Sequence, residues 1–207
     1  MQLRVLAIVA LLGGVAHADA RVDWARGLVI ADGIGVADRH APSAEVARGT
    51  SRRAAERAAA GKIEAAIAGI PWAGGGTVGE KLADAGVKAR VEKAIAAAID
   101  VDAEPDTDGS WRVTRGVPLE AIRQAIGDGP RAATSDADAP VVIVDGVKGA
   151  PALGVEIGGV SGAVLWCKEI PAWAKGAPHV KAKKRDGAKI EVAAPKAGPA
   201  TLFVVRV

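Results

Sequence analysis

The first stretch of alternating apolar and polar residues lies between Trp24 and Val36. A period of two places successive side chains on opposite faces of a strand, so the pattern predicts one long β-strand here. Gly27, Gly33 and Gly35 fall within it. They indicate bulges or points where another backbone approaches closely.

Helical periodicity follows this strand. Ser43 suits an N-cap, and small or apolar residues recur every four positions up to Ile67, which predicts a helix over 43–69. A second helix is predicted from Thr77, because Thr77 and Glu80 have the spacing of a capping box. Its pattern continues, or restarts after a glycine, up to the next strand.

The pattern then changes to short strands. Asp108-Gly109 is a strong hairpin signal between strands predicted over 99–104 and 110–117, and Pro118 suits the first turn of a short helix. Gly, Pro, Ser and Asp dominate residues 128–140, which we predict to be a linker. Beyond it only strand patterns occur, over 141–144, 153–157, 163–167, 179–184, 189–192 and 201–207.

These patterns together predict an α+β fold in two parts. We expect residues 21–127 to form a small antiparallel sheet packed by a long helix and a second helix. We expect residues 141–207 to form a smaller β-rich C-terminal unit.

The first twenty residues have the three regions of a secretory signal. Arg4 precedes an apolar run over 5–15, and overlapping A-x-A frames predict cleavage after Ala18 or Ala20. The run is shorter than the about 20 residues of a membrane-spanning helix. Asp19 or Arg21 would follow the cut directly, where a lipoprotein requires a cysteine. We therefore expect a protein of the periplasm, or one peripheral at the outer membrane, without a transmembrane helix in the mature chain.

Composition limits the core and the partners. Aromatic residues make up 3% of the chain and hydrophobic residues 50%, so the core must be built from Ala, Val, Ile and Leu with close backbone approach. The net charge of +3 is small and dispersed, which argues against a nucleic-acid partner.

The chain contains one cysteine, Cys167, so an intrachain disulfide is impossible. Because Cys167 follows an apolar run, we predict a buried, inert thiol. The alternatives are an intermolecular disulfide and a nucleophile paired with His179, as in a thiol enzyme.

Other motifs for chemistry are incomplete. The glycine-rich segment 74–81 has Glu80 where a phosphate loop requires lysine. The acidic run 100–108 has Arg115 where a calcium loop requires glutamate. We therefore predict no catalytic, cofactor-binding or metal-binding residues and a protein that is not an enzyme.

Two features remain as candidate interaction surfaces. The basic group Lys181, Lys183, Lys184 and Arg185 is interpreted either as a solvated strand protected from edge pairing or as a contact for anionic lipid or cell-wall polymer. Trp166 and Trp173, on either side of a proline, are interpreted either as core residues or as an exposed aromatic patch.

Several segments resemble a bacterial envelope family. These are the strand 28–35, the alanine-rich helix with Ala54-Ala55-Glu56-Arg57-Ala58-Ala59, and the later Asp108-Gly109-Ser110-Trp111-Arg112-Val113. They are similar to the flagellar assembly protein T amino-terminal domain and the Lpp-twenty outer-membrane lipoproteins. In the second half, the segments 142–146, 151–153 and 180–183 also resemble extended members.

The resemblance implies helices against a small sheet and a role in envelope or flagellar assembly without catalysis. The chain lacks the family's lipoprotein cysteine, which puts membrane anchoring in doubt. Our first hypothesis is a periplasmic scaffold that binds another envelope protein. The second is a binding module for anionic lipid or cell-wall polymer, and the third is an exported thiol enzyme.

Overall fold

The computed structural model describes residues 20–127, 140–193, 197–198 and 200–207. Helices and sheets both occur, and the predicted mixed α+β class is confirmed. The predicted signal segment, with Ala18, and most of the predicted linker lie outside the described residues.

The N-terminal part is built on a four-stranded antiparallel sheet with the order β1-β2-β4-β3. Its strands are β1 (Arg21–Asp23), β2 (Leu28–Gly35), β3 (Ile99–Pro105) and β4 (Trp111–Pro118). The single strand predicted from Trp24 is wrong at its beginning. A turn over 24–27, in which Gly27 has a φ of 66°, separates β1 from β2.

Four helices accompany this sheet in the described part of the chain: α1 (Ala44–Ala68), α2 (Val78–Lys81), α3 (Ala85–Ala96) and α4 (Leu119–Ile126). The Ser43 hydroxyl caps α1 by accepting from the Val46 N–H at 3.3 Å, as predicted. The predicted capping box at Thr77 is wrong, because the Thr77 side chain makes no capping hydrogen bond and α2 ends within four residues. Asp84 caps the restarted helix α3 instead.

The backbone of α1 lies directly on β2. A Cβ atom added to Gly33 would lie 1.9 Å from the Ala55 carbonyl oxygen, and one added to Gly35 would lie 1.8 Å from that of Ser51. These two glycines are therefore the close-approach points that the sequence indicated. The α1 face on the sheet is correspondingly small, with buried Ser51, Ala55 and Ala59.

Beyond this contact, larger aliphatic side chains fill the N-terminal core. Ile63 and Ile67 of α1 are buried with Val91 of α3 and Ile122 of α4. Leu153 of the C-terminal part belongs to the same cluster, so the core of one part includes a residue of the other.

The C-terminal part contains a nearly closed seven-stranded sheet with the order β7-β6-β10-β9-β5-β11-β8. Its strands are β5 (Val141–Asp145), β6 (Glu156–Ile157), β7 (Val160–Ser161), β8 (Ala163–Cys167), β9 (His179–Asp186), β10 (Lys189–Val192) and β11 (Leu202–Arg206). The sheet has more strands than the N-terminal sheet, and β8, β11, β5 and β9 run parallel. The predicted strand 153–157 is shortened to β6, because Leu153 packs into the N-terminal core.

The two faces of this sheet have separate cores. One face buries Phe203, Val205, Ile190 and Trp166 in the larger cluster. The other buries Ile143, Val204 and Cys167 beneath a 3₁₀ turn (Ala172–Ala174), whose Ala174 packs against them.

Backbone hydrogen bonds join the two parts. The Ala73 N–H donates to the Leu153 carbonyl at 2.7 Å, and the Leu153 N–H donates to the Pro71 carbonyl at 2.9 Å. The Trp166 N–H donates to the Trp24 carbonyl at 3.0 Å. The segment after α1 thus pairs with the C-terminal part much as one strand pairs with another.

We predict that Gly33→Ala destabilises the protein by about 3 kcal/mol, because its methyl group would overlap the α1 backbone, which cannot move without displacing the core. Gly61→Ala is the matched control on α1. Apart from its chain neighbours and the α1 backbone, no atom lies within 4 Å of the added methyl, and alanine favours the helix by about 1 kcal/mol. Urea unfolding measures the free energy of unfolding of both variants. Equal values for Gly33→Ala and Gly61→Ala would contradict the close contact between α1 and β2.

Candidate functional site

Strand β9 carries the basic group that the sequence singled out, and a β-bulge interrupts it. Glu191 of β10 pairs with Lys184, whereas the next residue, Val192, pairs with Ala182. Lys183 is therefore an extra residue without a partner in the ladder. Such a residue shifts the in-and-out alternation of the strand by one position.

The bulge divides the basic side chains of β9 between two environments. Before it, Lys181 is exposed, and Lys183 and Lys184 are then both exposed at consecutive positions. After it, Arg185 is half-buried rather than exposed. Three of the four predicted basic residues thus project on the solvent-exposed side of the strand, whereas Arg185 projects on the opposite side.

The exposed lysines differ in their partners. Lys184 Nζ lies 3.1 Å from Asp186 Oδ2, and Glu191 stands opposite it in the ladder. In the described part of the chain, Lys181 and Lys183 have no carboxylate within salt-bridge distance. These two lysines carry uncompensated positive charge on the exposed side of the strand.

Arg185 packs against the protein. Its guanidinium carbon lies 5.1 Å from the centre of the Trp166 ring, and its Nη1 donates to the Ala150 carbonyl at 2.9 Å. The sequence places Arg185 beside the lysines, but the bulge turns its side chain away from their exposed side.

The two candidate tryptophans do not form a common patch. Trp166 is 2% exposed and belongs to the larger C-terminal core, so its interpretation as a core residue is confirmed. Trp173 lies in the 3₁₀ turn and is 59% exposed.

Trp173 and the lysines of β9 belong to the same side of the sheet. His179 is the register partner of Ile143, and Ile143 packs against Ala174, which follows Trp173. Register partners in a parallel pair project to the same face, and side chains two residues apart on one strand do so as well. Lys181 therefore projects on the face that the 3₁₀ turn covers. We call Trp173, Lys181, Lys183 and Lys184 the basic face.

A charged cluster borders the basic face. Asp145 Oδ2 lies 2.8 Å from His179 Nδ1, and Asp145 Oδ1 lies 2.8 Å from Arg206 Nε. Asp145 is also the register partner of Lys181. Because Asp145 already pairs with the Arg206 guanidinium and hydrogen-bonds the His179 ring, this carboxylate leaves the charge of the lysines largely in place.

The Cys167 thiol is buried. It is 4% exposed, and its Sγ–H donates to the Val205 carbonyl at 3.8 Å. Burial raises the pKa of Cys167 because the thiolate loses solvation, although the nearby Arg206 charge lowers it in part. The prediction of a buried thiol is confirmed, and His179 has Asp145 as its partner.

The acidic hairpin forms as predicted between β3 and β4, with Gly109 at a φ of 86°. Asp108 accepts from the Ser110 N–H at 2.9 Å, which lowers the pKa of this carboxyl. Within residues 20–127 and the described segments after them, no group of three or more His, Cys, Asp or Glu side chains could hold a metal ion.

No helix in the described segments has the length and apolar character needed to cross a membrane. No protein-family model matches the chain, and no curated protein is significantly similar to it.

We predict that Cys167 does not react with a chromogenic disulfide reagent in the native protein and reacts fully in denaturant, because the buried thiol rarely ionises. Fast native reaction, matching that of a free thiol, would contradict the burial.

The same thiol predicts a pH dependence of stability. The unfolded chain releases the thiol proton at a lower pH than the folded chain, so the free energy of unfolding falls as the pH rises above the ordinary thiol pKa of about 8.5. Cys167→Ala removes this part of the slope. Unfolding of both proteins between about pH 7 and 10 measures it, and identical slopes would contradict the raised pKa.

Proposed function

We propose that this chain is an exported, non-enzymatic protein of the bacterial periplasm that binds another envelope protein as a scaffold or interaction module. The observation that carries the proposal is the basic face, where two uncompensated lysines and an exposed tryptophan lie on one side of the C-terminal sheet. We expect the partner to offer an acidic surface with an apolar contact for Trp173.

The position of the first strand supports export. The predicted cleavage frames end at Ala20, and β1 begins at Arg21. Arg21 pairs with Ile30 in the sheet, so a chain cut after Ala20 retains every strand of the N-terminal part.

The charges of the basic face support a binding role. A strand that needs only to remain soluble can balance its lysines with acids, as Lys184 does with Asp186. Lys181 and Lys183 do not have such partners in the described segments. Uncompensated like charges attract an acidic partner and accelerate its association.

The exposed Trp173 also supports a binding role. Tryptophan is enriched at the centres of protein interfaces, because it buries a large area at a small cost in side-chain entropy. Trp173 is 59% exposed beside exposed Ala172. Partner binding would remove this apolar surface from water.

A second candidate partner for the basic face is an anionic lipid or cell-wall polymer, because an exposed tryptophan on the same side as lysines also suits a membrane surface. The buried Cys167 argues against the third hypothesis, a thiol enzyme, since a nucleophile needs an accessible thiolate.

The family resemblance adds envelope or flagellar assembly as the proposed process. The N-terminal part has helices packed on a small antiparallel sheet, as that resemblance implies.

We predict that the protein isolated from its native host begins at Asp19 or Arg21, because the signal is removed during export. Mass spectrometry of the intact protein from a periplasmic extract measures the start. A chain beginning at Met1 in the cytoplasmic fraction would contradict export.

We predict that a photo-crosslinking residue replacing Lys183 captures an exported protein in living cells. The control places it at Lys93, an exposed lysine of α3. A band from position 183 that is absent from position 93, and that Lys181→Ala weakens, supports the scaffold proposal.

The opposite result has a defined meaning. If neither position captures a protein, and Lys181→Ala with Lys183→Ala reduces binding to anionic vesicles about thirtyfold while leaving neutral vesicles unaffected, the scaffold proposal is wrong and the second candidate holds.

A further inference from the structure

A groove lies where the two parts of the chain meet. One wall comes from the segment after α1, with Trp72, and the other from the loop 148–152 with Arg185. Its volume of about 560 Å³ is in the range of small-molecule sites in proteins. The reciprocal hydrogen bonds of Leu153 with Pro71 and Ala73 hold the two walls together.

The charge of the groove has one sign. Its lining includes Arg185 and Lys148 and contains no aspartate or glutamate. Four other arginines of the described chain, at positions 52, 115, 123 and 206, have a carboxylate within 3.2 Å. Arg185 has no such carboxylate, and its only protein acceptor in the described segments is the Ala150 carbonyl.

The contacts of Arg185 with Trp166 and with the loop at Gly149 restrain its guanidinium. The Trp166 ring lies 5.1 Å from its central carbon, and a Cβ atom on Gly149 would lie 2.9 Å from Nη1. Gly149 has a φ of 113°, a conformation that other residues rarely adopt, so the loop can approach Arg185 only with glycine here. A cation fixed in this way loses little entropy when it binds an anion.

We propose that this groove binds a small organic carboxylate that carries a saturated ring. The Nε and Nη2 groups of Arg185, which have no acceptor in the described segments, offer the fork that matches a planar carboxylate. Trp72 provides an apolar wall for the ring, and Lys148 adds a second positive charge at the exposed rim. A single arginine fork suits a monoanion.

The site is separate from the basic face. The bulge at Lys183 directs Lys183 outward and Arg185 inward, so each can be altered without removing the other. Failure of the groove would therefore leave the proposed partner binding of Lys181 and Lys183 unaffected, and the converse also holds.

The test titrates the ¹⁵N-labelled protein with N-acetylmuramic acid and follows the NMR chemical shift of the Trp72 indole N–H. N-acetylglucosamine is the control ligand, because it has the same ring and lacks the carboxylate. We expect a saturable shift with N-acetylmuramic acid alone. No shift at about 20 mM, or equal shifts with both sugars, would overturn the proposal.

Variants assign the binding to the arginine. We expect Arg185→Gln to weaken binding about thirtyfold and Lys183→Gln, the adjacent outward residue, to change it less than about twofold. Should Arg185→Gln not fold, Arg185→Lys keeps the charge without the fork and is expected to weaken binding about tenfold. Unchanged affinity in a folded Arg185 variant would overturn the assignment. N-acetylglucosamine 1-phosphate binding as tightly as the carboxylate would overturn the choice of anion.

Discussion

The contact between the α1 backbone and β2 at Gly33 and Gly35 is the constraint on which the rest of the structure depends. With few aromatic side chains available, the N-terminal core gains its density from backbone approach and from alanine. The same contact fixes the direction of the 25-residue helix α1, and hence the place where the chain leaves it. The segment that follows, with Trp72, is thereby brought against the C-terminal part, where it pairs with Leu153.

This junction makes the two parts interdependent. Leu153 is buried in the N-terminal core, Ala73 is buried in the larger C-terminal core, and Trp24 packs against both. Backbone pairing positions the segments more strictly than side-chain packing alone, because each hydrogen bond requires a defined register. The groove with Arg185 exists only because these segments meet, so its geometry depends on the fold of both parts.

Local patterns predicted the elements that local interactions determine. The Ser43 cap, α1 and the Asp108-Gly109 hairpin all follow from residues close in sequence. The parallel pairing of β11 between β5 and β8 joins residues about sixty apart and about forty apart, which no local pattern encodes. The bulge at Lys183 could not be predicted from the local sequence either, because it depends on the register with β10 and not on a glycine or proline in β9. The candidate site was consequently predicted only in part: its lysines and Trp173 are exposed and Trp166 is a core residue, as one of its two interpretations held, whereas Arg185 packs against the protein and does not lie with the lysines.

The bulge therefore separates two functions that we propose for one basic strand: a solvent-exposed face for a macromolecular partner and a fixed arginine for a small anion. Residue-resolved chemical labelling of the native protein tests this separation most directly. We expect Lys181 and Lys183 to be acetylated almost as fast as in the unfolded chain. We expect Arg185 to react with an arginine-specific reagent about tenfold more slowly than exposed Arg112. Equal rates for Arg185 and Arg112 would show that Arg185 projects outward with the lysines, and would contradict the division of the strand.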